Sequence, residues 1–281
     1  MRLVAIGDNV VDFYEDQNTY YPGGNALNVA VISKRNGAQG NGYIGIVGND
    51  EEANHVLEVL KLEKIDTSHI RKVCGPNGKA IVALDENGDR IFKGSNLEVR
   101  VQSKVSLKFT EEDLSYINSF DVIHTGNNSQ IEHELHRLNH KPISFDFSTK
   151  SKWNKEYLEQ VCPHIQFAFF SASEMSEAEI DSLFKQVHAF GVKIVIATRG
   201  GNPVICSDGQ NKYLQPPVDS EVIDTMGAGD SFIAGFLTSY FNTHDLQIAL
   251  KHASISAGIT CNTHGAFGYG KKISESSKDR I

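Results

Sequence analysis

Hydrophobic positions along the chain alternate between two rhythms. Short apolar-rich runs, at residues 3–7, 43–47, 121–124, 143–147, 167–170 and 192–197, end in glycine or in polar residues. Short runs dominated by apolar residues are expected of parallel strands covered on both faces. Between them lie stretches with helical spacing. One follows the Pro-Gly-Gly turn at residues 22–24 and runs to about Asn36. Another spans residues 51–64, with Val56, Leu57, Val59, Leu60 and Leu62 set among charges. Thr110, followed by Glu111, Glu112 and Asp113, predicts a capped helix start. Phe232, Ile233, Phe236, Leu237, Tyr240 and Phe241 predict a buried helix beginning near Gly229 or Asp230, and a further helix is expected over residues 244–262. Strands separated by helices imply an α/β fold, a mainly parallel central sheet with helices on both faces. Two stretches depart from this. Residues 80–84 and 90–92 flank a turn containing Asn87 and Gly88 and predict a β-hairpin outside the main sheet. Residues 204–206 and 213–214 predict a second hairpin around Asp208 and Gly209.

With 281 residues, 40% hydrophobic and 22% charged, the chain can bury one large α/β core. Its formal net charge of −8 and lack of any basic run longer than Lys271-Lys272 argue against nucleic acid or anionic membrane as partners. No apolar stretch reaches the roughly 18 residues of a membrane span. Asp8 comes too early for a signal peptide, so a soluble, cytoplasmic protein is expected. Cys74, Cys162, Cys206 and Cys261 are widely spaced, which predicts reduced and mostly buried thiols. Residues 271–281 are polar and are expected to be poorly ordered.

Candidate chemistry concentrates at residues 223–232. Gly227, Ala228, Gly229 and Asp230 place two glycines and a carboxylate at a helix start. First-turn N–H groups lack helical partners and carry partial positive charge, and glycine lets an anion approach the backbone. A lone Asp there would be read as a cap. Beside a donor nest, it completes what phosphoryl transfer to an alcohol needs: charge stabilisation and a base for the hydroxyl. Other polar groups sit at the carboxyl ends of predicted strands, the ligand edge of an open α/β sheet. They are Asp8, Asn9 and Asp12 after the first strand, His124, then Asp146, Ser148 and Lys150, then Ser171 and Glu174, then Thr198 and Gly200. A plain turn with Asn25 as helix N-cap accounts for the glycines at 23–24 but leaves Asn28 unexplained.

Three motifs carry little. Residues 40–45 spell Gly-x-Gly-x-x-Gly but follow a helix and run into a strand, the reverse of the dinucleotide fingerprint, so they are expected to be a helix-to-strand connection. His133, His136 and His140 could share one helix face, yet His-Glu-Leu-His is one residue short of His-Glu-x-x-His and its neighbours mark a solvated face. Ser173 with Glu174 in a helix first turn reads equally as capping.

The string Asp-Thr-x-Gly-Ala-Gly-Asp at residues 224–230, with Gly-Gly-Asn-x-x-Asn at residues 23–28, resembles the signatures of the ribokinase-like (PfkB) sugar kinases. The resemblance covers residues 3 to about 268. It implies one ribokinase-like domain over residues 1–281, with a small β-sheet lid from residues 12–21 and 79–101, including strands near 12–21 and 95–101. It also implies Asp230 as catalytic base and the backbone of Gly227, Ala228, Gly229 and Asp230 as anion hole. Asp12, Gly24 and Asn28 would hold sugar hydroxyls, with Asp8 and His124 beside them. Thr198 and Gly200 match the nucleotide loop, where Pro203 replaces a glycine, and Lys150 stands where relatives carry arginine. Ser254, with residues 264–266, falls on the adenine side. Glu174 matches a glutamate tied to magnesium through water, with Ser171 in place of asparagine. The cofactors implied are ATP and Mg2+, with room for a monovalent cation, and a homodimer through the lid. Within the family, residues 7–12, 22–28, 145–148 and 223–236 look like the fructoselysine 6-kinase branch, with lid acids Glu15, Asp16, Asp85, Glu86 and Asp89 available to an ammonium. Fructokinase or ribokinase is the alternative, then nucleoside kinase. A non-catalytic nucleotide and sugar sensor is the different class, against which Asp230 speaks, since a sensor needs no base.

Overall fold

The computed structural model describes residues 1–85 and 90–273. Strands β1 (Arg2–Gly7), β2 (Val10–Tyr14) and β3 (Thr19–Gly23) come first, followed by α1 (Asn25–Arg35), β4 (Gly40–Val47) and α2 (Glu51–Leu62). A two-residue β5 (Arg71–Lys72) precedes the hairpin strands β6 (Lys79–Leu84) and β7 (Arg90–Ser95). Alternation resumes with α3 (Glu111–Asn118), β8 (Val122–Gly126), α4 (Leu135–Leu138), β9 (Ile143–Thr149), α5 (Lys155–Val161), β10 (Phe167–Ser171), α6 (Glu177–Ala189) and β11 (Ile194–Arg199). The second hairpin is β12 (Asn202–Ser207) with β13 (Lys212–Gln215); α7 (Ala228–Thr243), α8 (Leu246–Cys261) and β14 (Lys271–Lys272) close the chain.

The main sheet has nine strands in the order β13-β12-β11-β10-β9-β8-β1-β4-β5. From β5 to β11 every pairing is parallel, and only the β11–β12 and β12–β13 pairings are antiparallel. All seven parallel strands therefore bring their carboxyl ends to one edge. Strand periodicity splits the apolar runs between two cores. Leu3 and Ala5 of β1 join Leu27, Leu60 and Phe236 on the α1, α2 and α7 side, whereas Val4 and Ile6 join Ile117, Leu158 and Phe184 on the α3, α5 and α6 side. A second sheet, ordered β14-β3-β2-β6-β7, stands over that edge, with Tyr14 and Val82 packed on Met226 of the glycine motif.

Several expectations are corrected. Residues 95–101 do not form a lid strand: β7 ends at Ser95, and a 3₁₀ turn (Val101–Ser103) follows. The Asn96 side chain breaks the run by bonding the Lys79 N–H at 2.8 Å and the Asn77 carbonyl at 2.7 Å. Lys271 and Lys272 are not loose but pair with Tyr20 and Thr19, adding a fifth lid strand. The turn at residues 86–89, with Asn87, Gly88 and the acids Glu86 and Asp89, and the tail at 274–281 lie outside the described residues. Residues 40–45 are no connection, since all of them belong to β4. Cβ atoms at Gly42 and Gly45 would come within 2.3 Å of the Tyr116 hydroxyl and 2.2 Å of the Tyr43 hydroxyl, so these glycines make room for tyrosines. His133 lies in a 3₁₀ turn and His136 in the short α4, while His140 lies beyond it and bonds the Asn118 side chain, so they share no helix face. Helix α6 starts at Glu177 under a Ser176–Glu179 capping box, which leaves Ser173 and Glu174 in the preceding loop. Leu62 ends α2 on the solvent side, 64% exposed. Of the cysteines, Cys162 and Cys206 are buried, Cys261 is half-buried and Cys74 is exposed.

Candidate active site

At the carboxyl ends of β1, β8 and β9, the first turns of α1 and α7 face each other. Asp230 stands in the first turn of α7 and presents both oxygens to α1: Asn25 Nδ2 donates to Oδ1 at 2.7 Å and Asn28 Nδ2 to Oδ2 at 2.6 Å. Asn25 and Asn28 lie three apart on a helix and so share one face. Gly24, not Asn25, is the N-cap of α1, with φ of 108° and no side-chain cap. A Cβ at Gly24 would lie 2.7 Å from Asn9 Cα, so the position is closed to other residues. Capping comes instead from across the sheet end, where Asp8 accepts the Asn25 N–H at 3.0 Å and the Ala26 N–H at 3.2 Å. That frees the Asn25 side chain for the site.

The orientation of Asn25 is chemically determined. Its Nδ2 also meets Asp146 Oδ2 at 2.9 Å, and an atom between two carboxylates must be the donor. Its Oδ1 then accepts from His124 Nε2 at 3.0 Å, and His124 Nδ1 faces Ser144 Oγ at 3.0 Å. Burial holds the His124 imidazole down to about 3, so the ring is neutral and acts as a relay of one donor and one acceptor. Fully buried, with both nitrogens engaged, His124 stands behind Asn25 and does not reach the opening. Burial, and next the Asp230 charge, push Asp146 up to about 7 against a hydrogen bond from the Ser148 N–H. Burial likewise raises Asp8, opposed by the N–H bonds from Ala26 and Asn25.

The glycine motif is fastened from below. Gly227 is the N-cap of α7 at φ 74°, and a Cβ there would fall 2.3 Å from Ala266 Cβ. Gly229 is exposed, and a Cβ there would meet open space, so packing does not demand its glycine. What the missing side chain leaves bare is first-turn backbone, the donor set that suits an anion. Asp224 is fully buried. It accepts from Met226 N–H at 2.9 Å, Tyr14 Oη at 2.6 Å and Gly265 N–H at 2.8 Å, joining the motif to the lid strand β2 and to the segment after α8. Residues 264–266, expected on the adenine side, thus back the motif and pack on lid residue Tyr21. Asp12, on β2 and 4% exposed, has Oδ2 against Gly23, where a Cβ would approach it to 2.1 Å.

The other sequence-predicted residues are spread along the same sheet edge. Thr198, next to last in β11, lies beside Ser171 of β10 with its Oγ1 donating to the Phe170 carbonyl at 3.3 Å, and Gly200 follows the strand in a turn at φ 59°. Glu174 is exposed in the loop after β10. Lys150 is exposed and pairs with Glu179 at 2.7 Å. Ser254 is buried in α8 at 5% exposure, which places it in the core and not at a surface. Sequence reasoning missed Asn25 as a site residue, placed Asp146 at the ligand edge without its tie to Asp230, and missed the bracing role of Asp224. The i, i+3 spacing of two asparagines was the available signal for the first.

A family model described as pfkB family carbohydrate kinase matches residues 1–268. Fructosamine kinase FrlD of Bacillus subtilis (strain 168) is 52% identical over 271 residues, covering 96% of this chain and 94% of that protein. Fructoselysine 6-kinase of Escherichia coli (strain K12) is 36% identical over 268 residues, covering 94% of this chain and 99% of that protein. Among solved structures, a fructokinase with bound ATP from Xylella fastidiosa superposes with a TM-score of 0.80 at 18% identity, covering 95% of this chain and 94% of that one. With that family model matching residues 1–268 and a relative 52% identical over nearly the whole length, the chain belongs to the pfkB family of carbohydrate kinases.

Proposed function

We propose that the protein phosphorylates the 6-hydroxyl of fructoselysine or a related fructosamine at the expense of ATP. The observation that carries the chemistry is the Asp230 carboxylate, held by Asn25 and Asn28 at the bare first turn of α7. The substrate class follows the fructosamine kinase and fructoselysine 6-kinase relatives. When bound, ATP supplies the phosphoryl group. Asp230 takes the hydroxyl proton as the sugar oxygen bonds phosphorus and the bond to the departing diphosphate breaks. Amides of residues 227–230 hold the phosphoryl oxygens as charge redistributes. Asn28 Oδ1 is buried without a hydrogen-bond partner, which suits it to accept from a sugar hydroxyl, and Asp12 on β2 would supply a carboxylate to a second hydroxyl. The lid excludes water, the competing acceptor.

Among the described residues no group of three His, Cys, Asp or Glu is placed to hold a metal. The residues nonetheless fit a magnesium ion carried by nucleotide phosphates, which needs only one or two carboxylates and water. Glu174 at the end of β10 suits a water-mediated contact, with Thr198, Gly200 and Lys150 toward the nucleotide. A monovalent cation would be revealed by activity in potassium against a bulky organic cation. The lid edge carries exposed Ile91, Phe92, Leu97 and Val99, which supports a homodimer formed there. No helix among the described residues is long and apolar enough to cross a membrane, consistent with work in the cytoplasm. ATP consumption measured across fructoselysine, fructose, ribose and adenosine tests the assignment. A kcat/KM for fructoselysine at or below that for fructose would leave a general fructokinase, and no turnover with any acceptor would leave a sensor.

A further inference from the structure

A pocket beside the acceptor site has no part in the phosphoryl transfer described above. It opens beyond Gly7 and Asp8, between the segment after the lid hairpin and residues 128–130, with a volume of about 30 Å³. Arg35, Arg71, Arg137 and Arg199 each meet a carboxylate. Arg100, half-buried in this pocket, makes no ion pair among the described residues and donates from Nε to Ser103 Oγ at 3.0 Å. Burial works against its charge and nearby Asp8 supports it. Two more polar atoms in the pocket wall, Ser129 Oγ and Gln102 Oε1, are buried without hydrogen-bond partners. Gln102 cannot turn its amide to relieve this, because its Nε2 already faces Asn9 Oδ1, the Ile46 carbonyl and Asn77 Oδ1 at 3.3, 3.1 and 2.9 Å. Ser129 lies so close to Gly7 that a Cβ there would approach its Oγ to 1.8 Å, so the glycine is what admits the hydroxyl. Unsatisfied buried polar atoms are costly and uncommon. An unpaired guanidinium, a hydroxyl and an amide oxygen in one pocket form a donor and acceptor set waiting for a ligand.

Asp8 ties this pocket to the acceptor site. It lines the pocket and also bonds the N–H groups of Asn25 and Ala26, and Asn25 in turn holds Asp230. A sugar with its reacting hydroxyl at Asp230 and running along the first turn of α1 would bring its opposite end toward Asp8 and this pocket. We propose that this pocket is the subsite for the amino-acid part of the acceptor, where the Arg100 guanidinium and Ser129 hydroxyl take the carboxylate and Gln102 Oε1 takes an amine N–H. The inference rests on the fructosamine reading above and names what distinguishes that acceptor from a free hexose. The guanidinium fork matches a carboxylate in two parallel hydrogen bonds, and a free hexose leaves it unpaired.

The test uses the full chain and two pairs of acceptors. Fructoselysine is compared with fructosylcadaverine, and fructosylglycine with fructosylmethylamine; the second of each pair lacks only the carboxylate. In at least one pair, kcat/KM should favour the carboxylated member by about 10–100-fold, the worth of a charged hydrogen bond or two. Arg100→Gln should erase that preference through KM, leaving kcat, the KM for ATP and activity on the decarboxylated member within about twofold. Arg100→Lys, with charge but no fork, should fall between. Wild-type ratios near one in both pairs overturn the proposal without any variant, as does an Arg100→Gln protein that keeps the preference. Turnover of fructose with all four fructosamines refused overturns the underlying substrate reading and the subsite with it.

Discussion

The acceptor side and the nucleotide side of this molecule occupy the same sheet edge but are built differently. Around Asp230, the side chains of Asn25, Asn28, Asp146, His124 and Ser144 are locked in one continuous set of hydrogen bonds, all of them at least partly buried. At the ends of β9, β10 and β11, Lys150, Glu174 and Gly200 are exposed, and the Lys150–Glu179 pair lies with its side chains 57% and 46% exposed. Low dielectric strengthens oriented groups in the first region, whereas water and salt weaken pairs in the second. On the proposed function, the acceptor side is preorganised for one proton transfer, while nucleotide holding would be spread over backbone and weak surface contacts. Substitutions should act steeply on kcat at the first and shallowly on the ATP KM at the second.

The steepest expected effect is at Asp230. Asp230→Asn should keep the fold and ATP affinity but lower kcat by about 10²–10⁴, the range for a general base. Turnover within a few fold of wild type would remove Asp230 from the chemistry. Next comes Asn25→Ala, which leaves Asp146 and Asp230 without their shared donor. It should lower kcat by about tenfold with little change in the ATP KM and cost about 1–3 kcal/mol of stability. Asn25→Gln, which keeps the amide, should recover part of kcat, and a stability loss with unchanged kcat would make Asn25 purely structural.

Legibility in the sequence follows the range of the interaction. The parallel strands, most of the helices and both hairpins were readable because their patterns are local: apolar runs, caps and turn residues. The helix start at Asp230 and its glycines was readable because it is built from consecutive residues. Asn25 was not, since an asparagine after Pro-Gly-Gly is an equally good cap, and only the approach of Asp8 from β1 takes the capping role away from it. Asp146 and Asp224 act through partners on other elements, which no local pattern records. β14 is two residues long, too short for any periodicity, and is defined by its partner β3. Ser173 and Ser176 are both plausible caps by residue type, and Glu179 completing the box decides for Ser176.

A smaller effect separates the two regions by pH. Asp146 titrates at about 7 when folded, against 3.8 for an ordinary aspartate. Between those values the folded protein holds a proton that the unfolded chain lacks, so this group makes stability fall as pH rises across the window and adds nothing further above it. Asp146→Asn should remove that slope. Denaturant unfolding at about pH 5 and about pH 8 should show the variant gaining on wild type as pH rises. Because the Asp230 charge is a stated cause of the shift, Asp230→Asn should move the Asp146 titration downward, as NMR of the side-chain carboxyl would record. An unmoved titration would mean that burial alone sets it.

The smallest effect is expected at Lys150, the exposed cation on the nucleotide side. Its Nζ bonds Glu179 Oε1, and that bond, with those from Ser176, holds the Glu179 carboxyl down to about 2. Glu179 also belongs to the capping box of α6, so the lysine has a structural task whatever its role toward nucleotide. Lys150→Ala should raise the Glu179 titration toward the ordinary glutamate range while leaving melting behaviour nearly unchanged, because both partners are solvated. If the amine also reaches the phosphates, the KM for ATP should rise by about two- to fivefold, more at low salt than at high, with kcat and the sugar KM untouched. Lys150→Arg should restore ATP affinity, since a fork serves phosphate at least as well as a point charge. An ATP KM that ignores both substitutions and ionic strength would assign Lys150 to the α6 surface alone and leave nucleotide binding to the backbone at Gly200 and the first turn of α7.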